Sequence, residues 1–237
     1  MQIPSGDFSL NAHTVATILA RGSLAFSGLY FGRQLQKMEN ALLAWEWYIL
    51  GVSACCGIFV ALNPWKPITW LWDYFDAFSR LLGVPIIATI GLMRATHHMR
   101  LTKRQESLLF AVSLLAALFF FTFDVTDPIR EPLYLVLDIG FGIYLVSVIR
   151  CAFKADKLWE ALTLTAALAF YLYITPLDHY YFLPHTDTAI ILNDDTVAHI
   201  GWGLLYAAIY FAYRGTVAAD TRAQSRIAAA ERGAPGS

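Results

Sequence analysis

Residues 40–62 read NALLAWEWYILGVSACCGIFVAL, an apolar run interrupted by one charged side chain, Glu46. About 20 mostly apolar residues are enough for a helix to cross a hydrocarbon core of roughly 30 Å, and this stretch meets that length. Further windows of the same character occur at 12–32, 68–95, 106–125, 132–153, 158–177 and 195–213. Hydrophobic residues make up 57% of the chain and charged residues 15%, against about 45–50% and about 25% in soluble domains. The sequence therefore predicts an all-α polytopic membrane protein, a seven-helix transmembrane bundle over residues 1–214. Residues 215–237 are rich in Ala, Arg and Gly and are expected to form a disordered tail.

Several details refine the spans. Pro64, Pro67, Pro128, Pro132, Pro176 and Pro184 fall at or near predicted ends, where a helix loses little by stopping. The stretch Ile68 to Arg80 is aromatic and acidic and reads as an interfacial helix, with the span proper beginning near Leu81 and kinked at Pro85. Cys55, Cys56 and Cys151 lie in or at the end of apolar blocks and read as small core residues, not a disulfide framework. A net charge of −1 gives no footprint for nucleic acid. The partner such a composition implies is the lipid bilayer.

Counting Lys and Arg in the connections sets the orientation. Arg33, Lys37, Arg94, Arg100, Lys103, Arg104, Arg150, Lys154, Lys157, Arg214, Arg222, Arg226 and Arg232 fall on one side; Lys66, Arg80 and Arg130 fall on the other. The bias predicts an outer N-terminus and a cytoplasmic C-terminus, in a bacterial-type inner (plasma) membrane. No cleavable leader is expected, since residues 1–10 lack a basic segment.

Ionisable groups inside spans are costly and so mark function by default. Arg21 is nine residues into the first window, roughly 14 Å deep, and Glu46 enters the second from the opposite side to at least roughly 9 Å. Antiparallel neighbours at such depths are expected to form an ion pair. Asp138 lies about one and a half turns inside the fifth window and His199 about one turn inside the seventh. In NDDTVAHIGWG, residues 193–203, Asp195 and His199 share a helix face, and Gly201 and Gly203 permit close packing. A carboxylate at this spacing can orient the imidazole for proton transfer, or both can bind a metal. The preceding loop supplies His179 and His185, so His179, His185, His199 and Asp195 are the candidate ligands for a divalent ion, although no established His spacing is matched. Tyr and Trp residues here and between Trp65 and Phe78 read as an interfacial belt.

Three partial resemblances bear on function. Asp195 to Gly203 resembles the seventh helix of microbial rhodopsins, and length, helix count and orientation agree. The Schiff-base lysine position is His199, however, which excludes a covalent retinal. Ala44-Trp45-Glu46-Trp47-Tyr48 looks like the Trp-Glu motif in the second helix of membrane-bound terpene cyclases, without their mid-helix Asp in the last span. The last helix is similar to that of alkaline ceramidase-like hydrolases, with Asp195 where their first metal-binding His would stand.

The leading expectation is a membrane-embedded cyclase, isomerase or hydrolase acting on a lipidic or isoprenoid small molecule. Asp195 and His199 would work near the outer face with Asp76 or Asp138, and Glu46 and Arg21 deeper in. A proton-coupled transporter or channel, or a non-catalytic subunit or sensor, are the alternatives. A cytoplasm-active reporter fused after Ser237 should be active and a periplasm-active one silent; the reverse pattern would overturn the orientation.

Overall fold

The computed structural model describes residues 12–99, 101–123, 127–180 and 194–233, with side chains at 127–128, 131, 176–180, 194–195 and 226–233 excepted. Seven long helices follow one another. They are α1 (Ala12–Lys37), α2 (Ala41–Leu62), α3 (Lys66–Thr96), α4 (Lys103–Thr122), α5 (Asp127–Lys154), α6 (Leu158–Tyr180) and α7 (Asp194–Gly233). Among the described residues there is no strand, and six helices, α1 to α6, are long and apolar enough to cross a membrane. The α7 helix falls short of that apolarity for a visible reason. Its inward residues include Trp202, Tyr206, Tyr210 and Tyr213 with Gly201 and Gly203, alongside the aliphatic Leu205 and Ile209. It is nonetheless central, packing on α6, α1 and α5 and touching the end of α3.

Local chemistry sets the helix ends. Asn40 caps α2 through its side-chain oxygen, which accepts from the Leu43 amide at 3.3 Å. Its amide nitrogen donates to the Gly91 carbonyl and to the Tyr213 hydroxyl, both at 2.8 Å, and so ties the start of α2 to α3 and α7. Thr102 and Gln105 form a reciprocal capping box at the start of α4. Pro67 occupies the first turn of α3, where its missing N–H costs nothing.

Three expectations are corrected, at residues 68–80, beyond residue 215 and at Pro132, while Pro85 lies inside the third span as expected. The segment 68–80 is not a separate interfacial helix, because α3 runs without a break from Lys66 to Thr96. Pro85 lies within ten residues of π-helix, Ser79–Ala88, whose wider turns accommodate a residue that cannot donate to the ladder. Beyond residue 215 the chain stays helical to Gly233 instead of becoming irregular, in keeping with its many alanines. Pro132 also lies inside α5, which begins five residues earlier at Asp127.

Glycine sets the α1–α2 contact. A second π-helical turn, Ser27–Phe31, carries Gly28 against α2, where a Cβ would lie 2.5 Å from the Gly51 nitrogen and 2.6 Å from the Trp47 carbonyl oxygen. Ser27 then donates to the Gly203 carbonyl at 2.8 Å, joining α1 to α7. Gly22, one and a half turns earlier, faces open space. Gly28→Ala should therefore destabilise the protein in detergent by about 2–3 kcal/mol through overpacking against backbone. Gly22→Ala should be neutral or stabilising by up to about 1 kcal/mol. Thermal unfolding of the two variants checks both, and equal melting temperatures would refute the close contact.

Candidate functional site

The α2 helix brings one acidic side chain into the bundle. Glu46 is fully buried, and its carboxylate lies against Gly83 in the π-helical part of α3. A side chain at residue 83 would overlap it, so the absence of a Cβ makes the room. The hydroxyls of Ser79 on α3 and Tyr206 on α7 are its polar neighbours. Neither Glu46 oxygen, however, meets a partner at hydrogen-bonding geometry, and the Ser79 and Tyr206 hydroxyls are unsatisfied as well.

Aromatic rings pack around this group. Trp47 packs on Tyr206 with ring centres 4.3 Å apart, and Trp202 meets Tyr171 edge-on at 4.8 Å and Tyr206 at 6.0 Å. Tyr171 on α6 leads to a second carboxylate, the buried Asp138 of α5, and stands within electrostatic reach of Arg80. Tyr206 in turn lies within reach of Glu46, Tyr171 and Asp138. Five helices thus converge on two buried carboxyl groups, two tyrosine hydroxyls and two indole rings. Such a cluster can hand protons between its members. Unsatisfied buried polar groups are rare in proteins, and their concentration here marks the place.

The other candidates lie elsewhere. Arg21 donates through Nη1 to the Gly57 carbonyl, and its guanidinium lies 4.6 Å from the Trp72 ring centre, a cation–π contact. Gly57 is eleven residues from Glu46, about 16 Å along α2, so the expected Arg21–Glu46 pair is not formed. Depth estimates had matched the two, but α1 meets α2 in a register that sets Arg21 beside the far half of that helix. Asp76 accepts from Arg80 Nε at 2.9 Å, one turn along α3. His199 is partly exposed on α7, two turns and about 10 Å from Tyr206. His185 lies outside the described residues, as do the side chains of His179 and Asp195. Among the described residues, no group of three or more His, Cys, Asp and Glu side chains could hold a metal ion.

Sequence reasoning singled out Glu46 and Asp138 but missed Ser79, Tyr171 and Tyr206. Tyr206 is twelve residues into α7, about 18 Å from its start. That depth separates it from an interfacial belt and was the available signal. No protein-family model matches the chain, and neither curated proteins nor solved structures include a significant match.

Two measurements test this geometry. Because the Glu46 carboxylate is buried without hydrogen bonds, Glu46→Met should raise stability by about 1–3 kcal/mol. A lower melting temperature would mean that the carboxylate is structurally satisfied. In a double-mutant cycle, Arg21→Leu and Glu46→Met should be additive within about 0.5 kcal/mol, whereas strong coupling would restore the ion pair.

Proposed function

We propose that the protein is a membrane-embedded enzyme performing acid–base chemistry on a lipidic, isoprenoid-type substrate, with its centre at the Glu46–Asp138 cluster. The observation that carries this reading is the Glu46 carboxyl group, buried without hydrogen bonds beside the rings of Trp47 and Tyr206. A carboxyl group without a structural partner is available for chemistry, and keeping it so costs stability, as active sites commonly do. The reaction class that fits is proton-initiated isomerisation or cyclisation. One carboxyl group gives its proton to a carbon–carbon double bond, forming a C–H bond and leaving positive charge on the neighbouring carbon. The electron-rich faces of Trp47, Trp202, Tyr171 and Tyr206 lower the energy of that charge. Loss of a proton from an adjacent carbon to a carboxylate completes an isomer with no net change in atoms.

In this reading Glu46 and Asp138 are the acid and base, and Tyr206 and Tyr171 carry protons between them. Arg80 and Asp76 act as a charged pair behind Tyr171. The resemblance of Ala44 to Tyr48 to the cyclase Trp-Glu motif supports the same class. The second carboxylate then comes from α5, in place of the last helix. Asp195 and His199, four residues apart in sequence near the start of α7, are proposed as a separate acid–base pair. A seventh membrane crossing by α7 and an outer N-terminus in a plasma membrane belong to the same proposal.

The test uses protein in nanodiscs, incubated in D2O with a prenyl-lipid extract and followed by mass spectrometry. A consumed species should be replaced by a product carrying deuterium, and Glu46→Gln and Asp138→Asn should each abolish the exchange. A second reading is favoured by the continuity of Glu46, Tyr206, Tyr171 and Asp138, which would also suit a proton path in a transporter. Proton uptake by liposomes that depends on Glu46, without deuterated product, would select it. Neither signal, in a folded protein, would leave the non-catalytic subunit.

A further inference from the structure

A cleft of about 890 Å³ opens at the end of the bundle where α1 turns into α2 and α3 turns into α4. Its size is within the roughly 300–1,000 Å³ of small-molecule sites. The opening exists because α4 stands away from the bundle. Only Ser113 and Ala117 of α4 are buried, both in its second half. At the inner end Tyr74 donates to the Leu114 carbonyl at 2.9 Å, and the Phe78 and Phe110 rings meet at 5.8 Å, so α4 closes on α3 there.

The lining changes along its length. Charged side chains gather at the mouth: Arg94 and Lys103 as cations, Glu39 and Glu106 as anions. The deeper wall is apolar, from Leu42 and Trp45 to Leu114. From Lys103 to Leu114 the distance along α4 is about 16 Å, so a charged head and a hydrocarbon chain would be met in that order. Trp45, next to Glu46 in sequence, points into this cleft and is 53% exposed.

The charges at the mouth are balanced, two of each sign. An anionic lipid would satisfy Arg94 and Lys103 but face two carboxylates, and a cationic amphiphile would meet the converse problem. Glu39 also sits at φ 59°, a left-handed position that a glycine would fill at less cost, with its carbonyl held by Arg94 Nη1 at 2.5 Å. We infer that this cleft binds a zwitterionic membrane phospholipid with a phosphoethanolamine head. Its phosphate lies against Arg94 and Lys103, its primary ammonium donates to Glu39 and Glu106, and its acyl chain runs along Trp45 and Phe110. This binding is independent of the chemistry proposed for the Glu46 cluster.

The experiment measures quenching of tryptophan fluorescence in detergent-purified full-length protein by phospholipids brominated on one acyl chain. Headgroups of phosphoethanolamine, phosphocholine and phosphoglycerol are compared at equal mole fraction. The phosphoethanolamine lipid should quench most strongly at low mole fraction, and Trp45→Phe should remove most of that quenching. Glu39→Gly suits the backbone and removes one carboxylate. Paired with Glu106→Gln, it should weaken phosphoethanolamine binding by at least about tenfold, the scale of lost charge-assisted hydrogen bonds, with phosphoglycerol binding no weaker. Ala111→Trp, which fills the cleft from the face of α4, should abolish quenching at Trp45 with the melting temperature unchanged. Equal or stronger binding of the phosphoglycerol or phosphocholine lipid by wild type would overturn the headgroup assignment. Quenching unaffected by Ala111→Trp would overturn the site.

Discussion

The Glu46 carboxylate occupies the space that a side chain at residue 83 would need, and much of the central packing answers to that contact. Gly83 lies in the π-helical segment around Pro85, where the ladder of α3 is already loosened by a residue that donates no hydrogen bond. The rings of Trp47 on α2 and Tyr206 on α7 pack together beside the carboxylate. A bundle that merely needed stability would place an aliphatic chain there. Holding an acid without hydrogen bonds costs free energy that the remaining contacts must offset, and those contacts are specific. Gly28 against Gly51 brings α1 onto α2, and Asn40 links α2 to both α3 and α7.

Two regimes of packing coexist. Around α7 the helices are tight, with Leu205, Tyr206, Ala212 and Tyr213 almost wholly inaccessible. Around α4 they are loose, and that helix turns most of its residues outward. In a membrane, apolar surface gains nothing by leaving lipid, so association rests on close packing and on polar contacts between helices. The central helices have both. The α4 helix has neither near its start, and it therefore leaves an opening wide enough for a ligand while staying attached through Tyr74 and Phe78.

Polar side chains divide along the same line. Arg21 reaches a backbone carbonyl and an indole face, and Asp76 has Arg80 one turn away, so both charges are met locally. Glu46 is not. Burial does not distinguish the two, since Arg21 and Glu46 are both buried; their partners do.

Apolar runs of about 20 residues are enough to read a helical chain built for a membrane, because within hydrocarbon a single segment can pair its own N–H and C=O groups only as a helix. Prolines such as Pro67 marked some helix ends, and Glu46, Asp138 and Arg21 stood out as charges within apolar runs. Residue spacing along a helix gives depth but not the partner, and so it matched Arg21 with Glu46, two groups that lie about 16 Å apart along α2. Which faces meet is settled by the packed bundle. It turned Tyr171 and Tyr206 from ordinary aromatic residues into neighbours of two carboxylates, and it left Trp45 exposed beside the buried Glu46, its neighbour in the chain. The physical reason is that rotation about a helix axis is fixed by packing against neighbours, such as Gly28 on Gly51 and Glu46 on Gly83, and these contacts are far apart in sequence.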